Sequence, residues 1–182
     1  MMRIITGKAK GIRLNTLEGN TTRPTAERVK EAIFSMIQFD LEGRRVLDLF
    51  AGSGALGIEA LSRGASHCIF SDKSQKSVSI VKTNVTKARL TDKAEIVKAD
   101  YKEVLSDCTG KDKKFDIIFL DPPYAKGLLD EALQIIHSNS LLTETGVVVA
   151  EFDNGTPLDI QNYTLIKDKR YGRVCIYILE AQ

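Results

Sequence analysis

An acidic residue, two prolines and a tyrosine follow one strongly apolar segment of the chain. Phe115–Leu120 is apolar at five of six positions and predicts a buried strand, which Asp121-Pro122-Pro123-Tyr124 ends because proline cannot extend a sheet ladder. An exocyclic amino group on a nucleic-acid base is a weak nucleophile, since its lone pair is delocalised into the ring. The Asp121 carboxylate and the Pro122 carbonyl can hold both N–H bonds of such a group and aim its lone pair at an electrophile. Tyr124 can stack on an unpaired base, so we predict that these four residues are catalytic, the alternative being a simple turn.

A glycine-rich loop lies upstream, between a predicted strand at 45–50 and a predicted helix at 54–63. Gly52, Gly54 and Gly57 match the pattern G-x-G-x-x-G, in which glycines let the backbone approach a ligand and the helix N-terminus offers free N–H groups. By itself this pattern fits a nicotinamide dinucleotide as well as S-adenosylmethionine. A tight turn with no ligand is the remaining alternative.

Three aspartates stand at the ends of three successive predicted strands. Asp48 lies four residues before Gly52, where a carboxylate suits the ammonium group of S-adenosylmethionine and is unhelpful beside a pyrophosphate. We expect Asp72 to accept hydrogen bonds from ribose hydroxyls and Asp100 from the adenine amino group, although either aspartate can instead cap a helix. Ligands of parallel sheets bind at the carboxyl ends of the strands. The predicted loop contacts to S-adenosylmethionine are Asp48, Phe50, Ala51, Gly52, Ser53 and Gly54.

Short apolar runs alternate with longer amphipathic stretches, and this alternation predicts the elements that position these residues. It is typical of an α/β protein with a mostly parallel sheet covered by helices on both faces. An earlier helix is expected from Pro24 through Phe39, and an antiparallel hairpin with strands at 163–169 and 173–179 is expected at one sheet edge. Residues 3 to 17 predict a short N-terminal β-hairpin extension. The other predicted strands are 67–71, 94–99, 115–120 and 146–152, and the other predicted helices are 75–88, 102–107 and 127–138.

Positive charge is concentrated near the N-terminus. Residues 1–31 carry seven basic and three acidic side chains, whereas the other 151 residues carry 19 basic and 21 acidic ones. Such a segment is typical of a surface that contacts phosphates, the alternative being a solvated basic surface without a ligand. The predicted contacts to a nucleic-acid backbone are Arg3, Lys8, Lys10, Arg13 and Arg23.

Length and composition exclude several classes of protein. The 182 residues predict one domain, divided here into an N-terminal basic extension at 1–22 and a catalytic domain at 23–182. No apolar stretch is long enough for a membrane span or a secretory signal, so we expect a cytoplasmic protein. Three scattered cysteines and two histidines predict neither a disulfide framework nor a metal site.

Four segments together resemble the RsmD family over essentially the whole chain. They are the Asp48-x-Phe50-x-Gly52-x-Gly54 loop, the box at 121–124, Arg23-Pro24-Thr25, and the opening Arg3-Ile4-Ile5-x-Gly7. Members of that family methylate the N2 atom of guanine in bacterial small-subunit (16S) ribosomal RNA.

The resemblance implies a seven-stranded Rossmann-like fold that uses S-adenosylmethionine, with catalysis at the tyrosine box. It implies cofactor contacts from the glycine loop, Asp72 and Asp100, and it places Thr25 over the cofactor or the target base, where a capped helix start is the local alternative. In the family the acid at Asp72 is commonly Glu with a second acid two residues later, where this chain has Ser74. This departure concerns the ribose contacts and leaves the class unchanged.

Other activities stay open at this point. The tyrosine box is shared with adenine-N6 and cytosine-N4 methyltransferases of DNA or RNA, although the chain is too short for a large DNA-recognition domain. A nicotinamide-dependent oxidoreductase fits the glycine pattern but uses neither Asp48 nor the box, and a non-catalytic RNA-binding module leaves the box unexplained. The small basic surface predicts weak affinity for naked RNA. We therefore expect a monomer that acts on a small-subunit particle or an assembly intermediate.

Overall fold

A mixed sheet with helices on both faces organises the chain. The computed structural model describes residues 2–17, 24–37, 41–123, 127–155 and 158–182, with only the backbone described for Pro24 and Thr25. Within these ranges the sheet has seven strands in the order β3-β2-β1-β4-β5-β7-β6. Strands β1 to β5 pair in parallel, whereas β7 is antiparallel to both β5 and β6. The elements in chain order are α1 (Pro24–Met36), β1 (Arg45–Asp48), α2 (Ala55–Ser62), β2 (His67–Asp72), α3 (Gln75–Ala88), a 3-10 turn (Thr91–Lys93), β3 (Ala94–Lys98), α4 (Tyr101–Gly110), β4 (Phe115–Leu120), α5 (Leu128–Ser138), β5 (Leu142–Asp153), β6 (Tyr163–Tyr171) and β7 (Val174–Ala181).

The predicted α/β class, the parallel strands and the C-terminal antiparallel hairpin are confirmed. The main differences concern the lengths of elements. Strand β5 begins at Leu142, four residues before the predicted start, because Leu142 already pairs with Phe115 of β4. The pairing is then interrupted by a register shift between Phe115 and Ile117 and resumes at Val147. The 3-10 turn at Thr91–Lys93 is not apparent from the apolar periodicity.

Alternate strand residues face two separate apolar layers. In β4, Ile117 and Phe119 pack in the layer formed with α1, α2 and α3, whereas Ile118 and Leu120 pack in the layer formed with α4 and α5. Because parallel strands are buried on both faces, they read as continuous apolar runs. In the described ranges, none of the helices is both long enough and apolar enough to span a bilayer.

The N-terminal segment differs from the predicted hairpin. The two arms do pair, through an antiparallel bridge between Arg3 and Arg13 and backbone hydrogen bonds that join Ile4 to Ile12 and Leu14 to Met2, but the pairing is shorter than two regular strands. The reason is that the backbone N–H groups of Ile5 and Thr6 donate to the Glu59 carboxylate of α2 instead of to a partner strand. The segment packs into the main core through its own apolar residues, which are Ile4, Ala9 and Leu14. The proposed division at residue 22 lies outside the described residues and stays a prediction.

Candidate active site

Four carboxylates line one edge of the sheet. Asp72 and Asp48 end β2 and β1, Asp121 directly follows β4, and Glu151 lies near the end of β5. Asp48 pairs in register with Phe70 of β2 and with Phe119 of β4. Asp72 lies two residues after Phe70, and Asp121 lies two residues after Phe119. Because side chains alternate along a strand, the register places all four carboxylates on the face covered by α1, α2 and α3. The carboxyl edge is where ligands of such sheets bind.

The loop after β1 has the backbone shape that its glycines predict. Gly52 and Gly54 have φ angles of +55° and +77°, in the left-handed region that favours glycine. The Gly54 N–H donates to the Ala51 carbonyl at 2.6 Å, and the Ala51 N–H donates to Ser71 of β2 at 2.9 Å. Gly54 caps the N-terminus of α2 with no side-chain hydrogen bond, so the helix presents free N–H groups to this edge.

The third glycine of the pattern has a packing role. A Cβ atom on Gly57 would lie 2.3 Å from the Phe70 ring and 2.7 Å from the Cys68 sulfur. Gly57 therefore lets α2 approach β2 closely. Only the first two glycines of the pattern shape the loop itself.

Asp48 is a buried carboxyl group, 3% exposed. One of its oxygens accepts the Gly57 N–H at 3.0 Å, which satisfies one of the N–H groups left free at the start of α2. Burial, together with the charges of Asp121 and Asp72, raises the pKa of Asp48 to about 7 against the effect of this hydrogen bond. Its second oxygen has no hydrogen-bond donor among the described residues. A cationic ligand beside that oxygen would stabilise the ionised form.

The raised pKa of Asp48 predicts a pH dependence for binding of a ligand that carries an ammonium group. Binding requires the ionised carboxylate, so affinity for S-adenosylhomocysteine should fall by up to about tenfold per pH unit below about 7 and level off above it. Calorimetric titration between pH 5.5 and 8.5 measures this. Asp48→Asn, which cannot ionise, should bind more weakly with no such slope. A slope that persists in Asp48→Asn would contradict the assignment.

Asp72 organises the loop from the neighbouring strand. Its two oxygens accept the Gly52 N–H at 3.0 Å and the Ser74 N–H at 2.8 Å. The Ser74 side chain in turn accepts the Ser77 N–H and caps α3. Ser74, the position at which this chain departs from the family pattern, thus has a local structural role. Asp72 keeps free lone pairs that can accept ribose hydroxyls, and this role stays a prediction.

Asp100 forms the helix cap that the sequence left as an alternative. Its carboxylate accepts the Lys102 N–H at 3.1 Å, and Glu103 accepts the Asp100 N–H at 3.2 Å, which completes a capping box for α4. Next to it, the Tyr101 and Phe50 rings pack with centroids 5.4 Å apart. The adenine contact of Asp100 and the cofactor contact of Phe50 stay predictions.

Asn84 is a positioning residue that sequence analysis did not identify. It is fully buried on α3, and its amide N–H groups donate to the Ser53 carbonyl at 2.8 Å and the Asn15 carbonyl at 2.9 Å. Its carbonyl accepts the Asn15 N–H at 2.8 Å. Asn84 thereby joins the glycine loop to the N-terminal segment. The available signal was a polar residue on the inward face of an amphipathic helix, between Val81 and Val85.

The box after β4 combines an exposed carboxylate with a buried proline. Asp121 is exposed, Pro122 is buried and Pro123 is exposed. Protein atoms crowded around Asp121 displace bulk water and raise its pKa to about 6, although the side chain remains accessible. No described residue donates a hydrogen bond to this carboxylate. It is therefore open to a ligand and largely ionised at neutral pH.

Three of the predicted site residues cannot be placed. Tyr124 and Arg23 lie outside the described residues, and Thr25 is described only as a backbone position in the first turn of α1. Their roles stay predictions.

Among the predicted RNA contacts that are described, Lys8 lies away from the glycine loop. The side chains of Arg3, Lys8, Lys10 and Arg13 are exposed, and Arg3 pairs with Glu27 at 3.4 Å. The Lys8 N–H donates to Ser62 at the C-terminus of α2, whereas the glycine loop is at its N-terminus. A helix of eight residues spans about 12 Å. Lys8 is therefore near the end of α2 opposite the glycine loop, and the RNA contacts of these four residues stay predictions.

Comparisons with known proteins agree with this geometry. Residues 2–180 match the family described as Conserved hypothetical protein 95. YlbH of Bacillus subtilis is 42% identical over 183 residues and covers 100% of both chains. A protein of Escherichia coli K12 named Ribosomal RNA small subunit methyltransferase D is 32% identical over 185 residues, covering 100% of this chain and 91% of its own. The solved structure of yhhF from Escherichia coli superposes with a TM-score of 0.84 at 28% identity, covering 100% and 99% of the two chains.

Proposed function

We propose that this chain, which belongs to the Conserved hypothetical protein 95 family, transfers a methyl group from S-adenosylmethionine to N2 of a guanine in small-subunit ribosomal RNA. The predicted family is confirmed, since the match spans nearly the whole chain and relatives at 32–33% identity are named Ribosomal RNA small subunit methyltransferase D. The observation that carries the proposal is the position of Asp121, an open carboxylate beside Asp48 on one sheet edge. This position supports the proposal, because a carboxylate that could orient an amine lies next to one that could bind an ammonium group.

The residues on the β1–β2 side fit S-adenosylmethionine. The unpaired oxygen of Asp48 would hold the ammonium group, the free N–H groups at the start of α2 would hold the carboxylate, and Asp72 would hold the ribose. When bound, the cofactor supplies an electrophilic methyl group. A nicotinamide dinucleotide fits less well, because Asp48 would lie near its pyrophosphate.

The residues after β4 would act on the base. The Asp121 carboxylate and the Pro122 carbonyl accept the two N–H bonds of the amino group, which turns the nitrogen lone pair toward the methyl donor. Alignment of the reacting atoms supplies much of the rate enhancement, so no strong separate base is needed. The amine becomes acidic as it is methylated, and its proton passes to Asp121 or to water. Tyr124 would stack on the flipped base.

Methyl transfer to small-subunit RNA tests the proposal directly. Labelled S-adenosylmethionine is incubated with particles from cells that lack this protein, and the RNA is digested to nucleosides. Labelled N2-methylguanosine is the expected product. N6-methyladenosine or N4-methylcytidine would keep the mechanism and replace the target base, which is the second candidate function because the box serves any of these amino groups. Absence of label in RNA would contradict the proposal.

The basic N-terminal turn would bind the RNA backbone of a small-subunit particle, with the protein acting as a cytoplasmic monomer. Lys8→Ala with Lys10→Ala should raise KM severalfold, leave kcat unchanged and reduce the salt slope of binding by about one per lost phosphate contact. Filter binding at several salt concentrations measures this slope. Lys111→Ala, at the C-cap of α4 and with its charge paired to Asp107, is the matched control and should change neither value. An equal effect of both variants, or faster turnover on naked RNA than on particles, would contradict the assignment.

A further inference from the structure

A second carboxyl group lies directly beside Asp121, on the side away from Asp48. Leu120 of β4 pairs with Ala150 of β5, so Asp121 and Glu151 are the next residues on two adjacent parallel strands. Neighbouring strands are about 4.8 Å apart, and residues in register carry their side chains on the same face. The negative charge of Asp121 accordingly contributes to the raised pKa of Glu151. Glu151 therefore borders the place where the base amino group would lie.

The surroundings of Glu151 leave its carboxyl group without a protein partner. The residue is half-buried, and no hydrogen bond or ion pair joins its carboxyl group to any residue in the described ranges. Burial, followed by the charge of Asp121, raises its pKa to about 9, so the carboxyl group is protonated at neutral pH. A polar group removed from water without a partner is costly, whereas an apolar side chain at this position would avoid the cost. A ligand that pairs with Glu151 would account for its presence.

The geometry points to Glu151 as the residue that reads the N1–H and O6 edge of the target guanine. This inference rests on the proposed function, because it assumes that Asp121 and Pro122 hold the 2-amino group. In guanine, the N1–H group is next to the ring carbon that carries the 2-amino group. A protonated carboxyl group accepts from N1–H with one oxygen and donates to O6 with the other, and an ionised one still accepts from N1–H.

A modified base separates this role from a structural one. 2-Aminopurine keeps the 2-amino group but lacks both N1–H and O6. Two forms of small-subunit RNA are made by joining two fragments, one with guanine and one with 2-aminopurine at the methylated position. Each RNA is then assembled into particles. The natural protein should methylate guanine about tenfold to a hundredfold faster than 2-aminopurine, since a lost hydrogen bond to a buried polar group has an effect of this size.

Substitutions of Glu151 complete the test. Glu151→Ala should slow methylation of guanine particles by a similar factor, bring the guanine to 2-aminopurine rate ratio close to one, and retain affinity for S-adenosylhomocysteine. Glu151→Gln, which keeps an acceptor and a donor, should retain most of the ratio. Glu144→Ala, at the exposed far end of the same strand, is the matched control.

An unchanged rate ratio in Glu151→Ala would overturn the inference. If circular dichroism shows that the alanine variant is unfolded, Glu151→Met is assayed instead. This variant keeps the apolar stem of the side chain, and the same rate ratio is expected. Failure of the proposed function has a different signature. If the proposed function is wrong, the natural protein itself transfers no methyl group to guanine particles. If only the role of Glu151 is wrong, the natural protein methylates guanine particles, and Glu151→Ala keeps the preference for guanine over 2-aminopurine.

Discussion

Replacing Asp121 by alanine is expected to reduce methyl transfer by about a thousandfold while binding of S-adenosylhomocysteine is retained. The physical reason is that, in the proposed mechanism, the carboxylate holds an N–H bond of the amino group, whereas residues of the β1–β2 side hold the cofactor. Removing the carboxylate therefore leaves the nucleophile misdirected beside an occupied cofactor site. Single-turnover methylation and calorimetric binding measure the two effects separately.

The matched control for Asp121 is at the other end of the same strand. Asp116 accepts the Arg45 N–H at 2.8 Å and pairs with Arg44 at 3.2 Å, so Asp116→Asn should lower stability. It should not change methyl transfer per folded molecule, because it lies at the opposite edge of the sheet. Near-normal activity of Asp121→Ala would remove Asp121 from the mechanism. Lost cofactor binding in a folded variant would show that Asp121 belongs to the cofactor site.

Replacing Glu59 by alanine should lower the free energy of unfolding by about 3–5 kcal/mol. Glu59 is fully buried and accepts four hydrogen bonds, from the backbone N–H groups of Ile5 and Thr6, from Lys30 at 3.0 Å and from Arg63 at 2.9 Å. Its loss leaves Lys30, which is 2% exposed, as an unpaired buried cation. Because typical domains have about 5–15 kcal/mol of total stability, this is a large fraction. Urea unfolding measures the change.

The pH dependence of the Glu59 variant has a definite sign. Burial lowers the pKa of Lys30, and Glu59 opposes that shift, so removing Glu59 lowers this pKa further. Between the folded and the unfolded pKa the unfolded chain binds more protons, and stability rises with pH there. The deficit of Glu59→Ala should therefore shrink as pH increases toward the ordinary lysine range. The control is Asp107→Ala on α4, which removes an exposed ion pair with Lys111 and should leave stability unchanged. Equal stability of Glu59→Ala and the natural protein would contradict the prediction.

Amide exchange should locate the damage in the N-terminal segment. The Ile5 and Thr6 N–H groups lose their acceptor in Glu59→Ala, and Gly7 packs so closely on α2 that a Cβ atom there would lie 1.8 Å from the Ser62 carbonyl oxygen. Exchange in this segment should increase before exchange in the sheet. Asn15, in the same segment, also reaches the glycine loop through Asn84.

Local sequence patterns determined the elements and one edge of the site. Continuous apolar runs predict buried parallel strands, and the spacing of the glycines predicts the loop after β1. Both predictions depend on burial and backbone sterics that each segment carries by itself. The ends of successive parallel strands must meet at one edge, so the sequence predicted that Asp48, Asp72 and Asp100 lie at the same edge. The family resemblance added the target base, which composition and spacing do not contain.

Tertiary structure decided what depends on contacts between segments distant in the chain. Three contacts were not predictable from the sequence: the packing of Gly57 against Phe70, the hydrogen bond from Asn84 to Ser53, and the acceptance of N-terminal backbone N–H groups by Glu59. Each of them depends on the strand register and on the positions of the helices. Glu151 follows the same rule, because only the pairing of β4 with β5 places it beside Asp121. Local propensity is a property of neighbouring residues, whereas the burial that raises the pKa of a carboxyl group and removes its partners is a property of the assembled sheet.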